Sequence, residues 1–221
     1  MNPKERAAVS GAALVEDGQI VGLGTGSTVY YVLNELARRI REEELQIIGI
    51  PTSVATEKTS RDLGIPLSTL EEYEEVDIDI DGADQVSKEC DVIKGGGGAH
   101  FREKMVALAS KRFVVIVDEG KMSEKLGMPV PVEVLPFSWS HASRRLAKIG
   151  GKASLRNSGE SFFVTDNGNY VLDVHFGVIE EPQKLETEIN AVAGVLENGI
   201  FSEMASEVHV ASENEVRVIK P

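Results

Sequence analysis

The sequence predicts an α/β protein: an open, mostly parallel, Rossmann-like sheet with a smaller α+β domain of ferredoxin-like order inserted in it. Three observations predict this. Short apolar runs alternate with segments of helical period through the first half, and strands separated by helices pair in parallel. Near Pro129-Val130-Pro131 the pattern changes to strand, helix, strand, strand, helix, strand, the split βαβ order. The tail, Val208 to Ile219, has short apolar pieces that can return to the first sheet. The expected division is a discontinuous main domain, residues 1–130 and 207–221, and a small domain, residues 131–206.

Each element has a local reason. Lys4 to Val15 predicts a helix that ends at Asp17-Gly18. Ile20-Val21-Gly22-Leu23 is a short apolar run, read as a buried strand. Val29, Val32, Leu33, Leu36 and Ile40 recur at helical spacing. Gln46 to Ile50 is the next strand, and Ala55 to Leu63 the next helix, stopped by Gly64 and Pro66. Val76 to Ile80 and Phe113 to Val117 are further strands. In the small domain, Val132 to Leu135 is a strand and Trp139 to Ile149 a helix. Ala153 to Arg156 and Tyr170 to Val174 are strands, with Ser158-Gly159 and Asp166-Asn167-Gly168 as turns. Pro182 suits the first turn of a helix reaching about Val192, and Ala193 to Phe201 closes the block with a strand.

Composition narrows the function. The chain has 221 residues, 42% hydrophobic, enough to bury a sizeable core. Its formal net charge of −13 argues against a nucleic-acid partner, because a phosphate backbone needs a basic face. An anionic small substrate needs only a local positive pocket. Cys90 is the single cysteine, so no intrachain disulfide forms, which fits a reducing cytoplasm. Met1-Asn2-Pro3-Lys4-Glu5 lacks a basic segment followed by an apolar run, so no signal peptide is expected. No apolar stretch approaches the ~20 residues that span a bilayer, so no membrane partner is expected.

Four motifs carry chemistry. In Gly22-Leu23-Gly24-Thr25-Gly26-Ser27-Thr28 a strand meets a helix. Glycines let backbone approach an anion, the helix start supplies N–H groups and partial positive charge, and Thr25, Ser27 and Thr28 add hydroxyls. It reads either as a phosphate cradle or as a tight turn with Ser27 or Thr28 as N-cap. Ser27 stands where a dinucleotide fingerprint has its third glycine, and the lysine of a P-loop is missing. The second motif is Asp77-Ile78-Asp79-Ile80-Asp81-Gly82-Ala83-Asp84. Alternation puts Asp77, Asp79 and Asp81 on one face, costly inside a parallel sheet but useful at its carboxyl edge, where open α/β folds bind ligands. An Asp-rich turn and a hard-cation site are the alternatives, and sugar-hydroxyl binding ranks above metal because no histidine lies near.

The third motif is Lys94-Gly95-Gly96-Gly97-Gly98-Ala99-His100-Phe101-Arg102-Glu103-Lys104. Four consecutive glycines are entropically expensive, and make sense where backbone wraps a ligand or offers N–H groups to an oxyanion. Lys94 adds positive charge. Phe101, Met105 and Leu108 form a helical stripe, and Glu103 falls roughly opposite it, near Val106, Ala107 and Ser110. There, desolvation would raise its pKa toward that of a useful base. The plain alternative is a flexible linker and a solvated glutamate. The fourth motif, Val117-Asp118-Glu119-Gly120-Lys121, brings Lys121 to the carboxyl edge for a phosphate or sugar oxygen. Cys90, Trp139, His175 and Phe176 read as packing residues, and the run Glu71 to Glu75 as solvated surface. His100 lies close enough to the loop to touch a substrate. The four scattered histidines give no metal-ligand spacing.

Gly24-Thr25-Gly26-Ser27-Thr28, Asp81-Gly82-Ala83-Asp84, Lys94-Gly95-Gly96-Gly97 and Arg102-Glu103-Lys104, in this order and spacing, resemble the type A ribose-5-phosphate isomerases. The resemblance extends to Val130-Pro131-Val132-Glu133-Val134 and Asn190-Ala191-Val192-Ala193-Gly194-Val195, and so spans about Ala7 to Val218. It implies interconversion of ribose 5-phosphate and ribulose 5-phosphate in the non-oxidative pentose phosphate pathway. It implies Glu103 as the base that moves a proton between C1 and C2 through an enediolate, with Asp81, Asp84 and Lys94 beside it in the catalytic set. It places Thr25, Gly26, Ser27, Thr28, Asp81, Gly82, Ala83, Asp84, Lys94, Gly95, Gly96, Gly97 and Lys121 against the substrate, with the main domain as the catalytic one. It also implies a homodimer or homotetramer and no metal or other cofactor. Gly98-Ala99-His100-Phe101 departs from the family pattern, where small or aliphatic residues are usual near His100. Aldose–ketose isomerisation can use a metal-assisted hydride shift or a carboxylate base, and the residues on offer are those of the second. The rivals are a phosphosugar-sensing regulator, which should carry a DNA-reading segment, and an acyl or CoA transferase with a glutamate nucleophile.

Overall fold

The structure, a computed structural model, describes residues 1–159 and 161–221. In chain order the first elements are α1 (Pro3–Ala12), β1 (Ile20–Leu23), α2 (Val29–Glu42), β2 (Ile48–Pro51), α3 (Val54–Asp62) and β3 (Ile78–Asp81). There follow β4 (Gln85–Val86), β5 (Val92–Ile93), α4 (His100–Ala109), β6 (Phe113–Asp118) and a 3-10 turn, Glu119–Lys121. Next come β7 (Val130–Val134), α5 (Trp139–Lys148), β8 (Lys152–Leu155), β9 (Asn157–Ser158), β10 (Ser161–Phe162) and β11 (Tyr170–His175). The chain closes with α6 (Pro182–Asn190), β12 (Val195–Asn198), β13 (Ile200–Phe201), β14 (Glu207–Ala211) and β15 (Val216–Ile219). It forms two compact units: residues 1–83, 102–122 and 204–221, and residues 84–101 and 123–203.

The first unit is built on a six-stranded sheet in the order β15-β14-β6-β3-β1-β2. Every pairing is parallel except that of β15 with β14. Ala7, Ala8 and Ala12 of α1 and Val29, Val32, Leu33 and Leu36 of α2 pack with Val21, Leu23, Ile78, Ile80, Val114 and Ile116 of the sheet. The helical spacing of α2 and the alternation along the strands therefore serve one core. Small residues on α1 let the helix approach closely: a Cβ on Gly11 would lie 2.8 Å from Ile116. Asn2 caps α1, accepting from the Glu5 amide at 2.9 Å, and Pro3 opens it. On the other face Val106 of α4 joins Ile50 and Val76.

The second unit contains a four-stranded antiparallel sheet in the order β12-β7-β11-β8, with α5 and α6 as the intervening helices. Numbered by sequence this is 4-1-3-2, the ferredoxin-like arrangement that the order of elements predicts. Val130, Val132, Val134, Leu172 and Val174 meet Ala142, Leu146 and Ile189 of the helices. The opposite face holds Glu133, fully buried. It accepts from Thr165 Oγ1, Asn167 Nδ2 and Asn169 Nδ2 at 3.0, 3.0 and 2.8 Å, so the polar turn before β11 offsets the cost of burying a carboxylate.

Two features differ from expectation. β7 runs from Val130 to Val134 and so contains Pro131, where the strand was expected over Val132 to Leu135. Residues 84–101 and 123–130, expected with the main sheet, pack in the second unit. The cause is a third sheet, β13-β5-β4, in which Ile200 pairs with Ile93 and Phe201 with Val92. The Ser123 amide adds a bond to Val86 O at 2.8 Å.

Candidate active site

The order of the first sheet creates a crevice. The chain runs from β1 through α2 to β2 on one side, while β3 lies on the other side of β1. Ligands of open α/β sheets bind outside the carboxyl ends of strands at such a reversal. Gly24 to Thr28 follow β1 there, and Asp81 to Ala83 end β3.

The aspartate row is real. Ile78 and Ile80 point into the α1–α2 core, which turns Asp79 and Asp81 to the other face, both fully buried. Asp77 accepts from the Ile20 amide at 2.9 Å and from Lys111 at 3.0 Å. That backbone bond first, and then Lys111, hold its pKa below the ordinary carboxylate value despite partial burial. Glycines in β1 and just after it make room for the other two: a Cβ on Gly22 would sit 2.5 Å from Asp79 Oδ1, and one on Gly24 2.2 Å from the Asp81 carboxyl carbon. Asp81 Oδ1 accepts from the amides of Thr25 at 3.0 Å and Gly82 at 2.7 Å. One carboxylate thus ties the loop after β1 to the turn after β3.

The hydroxyls of the first motif divide. Thr25 Oγ1 turns into a cluster with Thr52 and Ser53, each at 2.8 Å, and Thr56 at 3.2 Å, so it secures the loop. Thr56 in turn donates to Gly24 O at 2.7 Å. Thr28 occupies the N-cap position of α2 but its side chain makes no cap bond, and no acidic residue stands in the first turn. Gly26 takes φ +117°, a conformation that favours glycine. Ser27 Oγ accepts from Lys4 Nζ at 2.9 Å. Gly26, Ser27 and Thr28 thus offer a helix N-terminus, exposed or half-buried, with a lysine beside it, a combination suited to an anion. Sequence reasoning passed over Lys4, Thr52, Ser53 and Thr56. Only Lys4 carried a signal, a cation at the start of the helix that packs on α2.

Glu103 lies in the first turn of α4 and is only 4% exposed. Its neighbour one turn on, Val106, packs over β1: a Cβ on Gly22 would lie 2.7 Å from Val106 Cγ1 and 2.5 Å from Asp79 Oδ1. The buried side of α4 thus carries Glu103, Lys104, Val106 and Ala107, while Leu108 of the apolar stripe is exposed. Val106 sets this helix over the aspartate-bearing face of the sheet, and Glu103 lies one turn before it on the same buried side. Lys121 ends the 3-10 turn beyond the carboxyl end of β6, half-buried.

The remaining candidates belong to the second unit. Gly95 and Gly98 take φ +101° and +78°. The glycine turn is closed by Gly98 N–H to Gly95 O at 2.9 Å. Asp84 Oδ2 accepts from the Gly96 amide at 2.7 Å. Lys94 is buried, donates its amide to Gly199 O at 2.8 Å, and carries Nζ 5.7 Å from the centre of the Phe201 ring. His100 is buried against the loop: a Cβ on Gly95 would meet its ring at 2.7 Å. The candidates therefore fall in two sets. Thr25–Thr28, Asp81–Ala83, Glu103 and Lys121 lie in the first unit, and Asp84 and Lys94–Gly97 in the second. The backbone joins the sets at Ala83-Asp84 and again at Phe101-Arg102. Burial, with Asp91 and Glu89 nearby, pushes the Cys90 thiol up, consistent with a passive residue. Among the described residues, no group of three or more His, Cys, Asp or Glu side chains is placed to hold a metal ion, and no helix is long and apolar enough to cross a membrane.

Residues 48–215 match the family model of ribose 5-phosphate isomerase A (phosphoriboisomerase A). A ribose-5-phosphate isomerase A of Methanosarcina acetivorans is 47% identical over 216 residues, covering 96% of this chain and 92% of that protein. The solved ribose 5-phosphate isomerase A of Methanocaldococcus jannaschii is 44% identical, with TM-score 0.94 over 99% of this chain and 98% of that one. A D-ribose-5-phosphate isomerase solved in complex with phospho-erythronic acid is 35% identical, with TM-score 0.96 over the whole of both chains.

Proposed function

The chain belongs to the ribose 5-phosphate isomerase A family, and from that premise we propose how its own residues interconvert ribose 5-phosphate and ribulose 5-phosphate. Glu103 is the base. It takes the proton from C2 of the open-chain aldose, leaving an enediolate, and returns it to C1, while the O2 hydroxyl proton passes to O1, to give the ketose. A carboxylate on a largely buried helix face is poorly hydrated, so its basic form is not quenched by water. This burial, on the face of α4 that covers the aspartate row, is the observation that carries the reading.

The other groups follow from the charge that moves. The phosphate dianion suits Gly26, Ser27 and Thr28 at the start of α2, where Lys4 adds a positive charge, and Thr25 supports that loop from behind. Lys121 supplies a cation for a phosphate or sugar oxygen. Asp81 and Asp84, with Gly82 and Ala83 between them, hold hydroxyls and assist ring opening. Lys94 and the amides of the glycine loop Gly95 to Gly97, of which that of Gly96 already donates to Asp84 Oδ2, stabilise the oxygen that becomes negative, where preorganised donors contribute most. A relative 35% identical was solved in complex with phospho-erythronic acid, a phosphorylated sugar acid, which supports a phosphosugar as the substrate in this reading.

In this reading the chain uses no metal and binds no nucleic acid or membrane, and it works in the cytoplasm as a homodimer or homotetramer. A net charge of −13 and a single cysteine support the compartment and the absence of nucleic acid. Enzyme stripped with EDTA should retain its rate of interconversion of the two pentose phosphates. Loss of that rate, restored by a divalent cation, would remove the carboxylate-only mechanism.

A further inference from the structure

We propose that Arg156 is a positioning residue for the isomerase reaction, setting the direction in which the glycine loop presents its amides. Arg156 follows β8, half-buried, and its guanidinium uses four N–H groups at once. Nε donates to Asp173 Oδ2 at 2.9 Å and Nη2 to Asp173 Oδ1, a two-point pairing with a carboxylate on β11. Nη1 donates to Gly95 O at 2.9 Å and to Gly96 O at 3.1 Å. The guanidinium carbon lies 5.5 Å from the centre of the Phe163 ring, and that ring fills the place of the missing side chain of Gly98: a Cβ there would lie 2.4 Å from it. Loop, guanidinium and ring form one packed group inside the second unit.

The consequence follows from peptide geometry. In a trans peptide the carbonyl and the next residue's N–H point in opposite directions. Holding the Gly95 and Gly96 carbonyls on one side therefore turns the amides of Gly96 and Gly97 to the other. The Gly96 amide ends on Asp84 Oδ2 at 2.7 Å, which shows that this other side is the one carrying Asp84. Gly97 is exposed there, next to it in the chain. Successive amides aimed one way suit an anion; the Asp84 carboxylate takes that of Gly96, which leaves the Gly97 amide to meet the developing oxyanion. Without a brace, a run of four glycines samples many peptide orientations and spends little time in this one. The planar fork is essential: a lysine ammonium keeps the charge but cannot span Asp173 and two carbonyls together.

This inference rests on the reading of the loop as the donor set for the developing oxyanion, and its test separates the two. Wild-type turnover in the same assay tests the isomerase function by itself. Arg156→Lys should fold with a thermal midpoint close to wild type, and its kcat should fall about ten- to a hundredfold, as misplacement of donors by an ångström does. KM should change less than about threefold, because the lost interaction is made in the transition state. Asp173→Asn, which weakens the anchor of the guanidinium, should shift kcat in the same direction by less. A kcat within about twofold of wild type in both variants would overturn the proposal. So would a raised KM with unchanged kcat, or a lowered thermal midpoint with full turnover at low temperature, which is what a purely structural pair would give.

Discussion

Gly24 shows how two physical demands meet at one residue. A glycine between a strand and a helix suggests close approach of an anion, and that is as far as its neighbours in sequence lead. The structure adds that the Asp81 carboxylate occupies the space of its side chain while accepting bonds from Thr25 and Gly82. Gly24→Ala should therefore force the carboxylate or the strand to move. The expected cost is about 1–3 kcal/mol of stability, read as a lower thermal midpoint, together with loss of activity as the loop leaves its place. An unchanged midpoint would show that the contact is slack. The hydroxyl of Thr25 in the same motif bonds to Thr52, Ser53 and Thr56, 27 to 31 residues further along. Nothing near Thr25 encodes partners that arrive from the end of another strand.

At the scale of elements, period decided what could be read. α2 and the strands of the main sheet carry four or more residues of regular pattern, and each was visible. β4, β5 and β13 have two residues each, too few for any period, so the third sheet and its claim on residues 84–101 were not. α4 was visible, and its side with Glu103, Val106 and Ala107 is buried as its spacing suggested, but the apolar stripe is not its core face, since Leu108 is exposed. The contact of α1 with β14 was equally hidden, and it carries a pH dependence. Ser10 Oγ lies 2.7 Å from His209 Nδ1, and His209 Nε2 lies 3.5 Å from Glu207 Oε1. Arg112 and Lys220 also reach Glu207. Burial holds the His209 imidazole below its ordinary 6.5, against the pull of Glu207. Burial pushes Glu207 up, but the bond and charge of Arg112 overcome it and hold the carboxyl low. For His209, the unfolded chain binds the proton first, so stability drops as pH falls below 6.5 toward the folded value. For Glu207 the loss comes at lower pH, below 4.5 and through its folded value. The thermal midpoint should fall between about pH 7 and about pH 5.5, and His209→Gln should flatten that dependence. An identical slope in the variant would remove His209 from the account.

For the whole molecule, the division into an open parallel sheet and an inserted ferredoxin-like unit was legible because the order of elements is a long-range signal made of many short ones. The borders were less so, since which unit a short segment joins depends on pairings such as Ile93 with Ile200 that lie far apart in sequence. The candidate residues are divided in the same way, one set in each unit, with the chain passing from one set to the other at Ala83-Asp84 and Phe101-Arg102. The account assigns Glu103 the one role no other residue can cover. The most direct test is the turnover of Glu103→Gln beside wild type, with ribose 5-phosphate as substrate. The variant should fold, keep its affinity for substrate, and lose about 10²–10⁴-fold in kcat, the contribution of a positioned base. A kcat within about threefold of wild type would contradict the assignment.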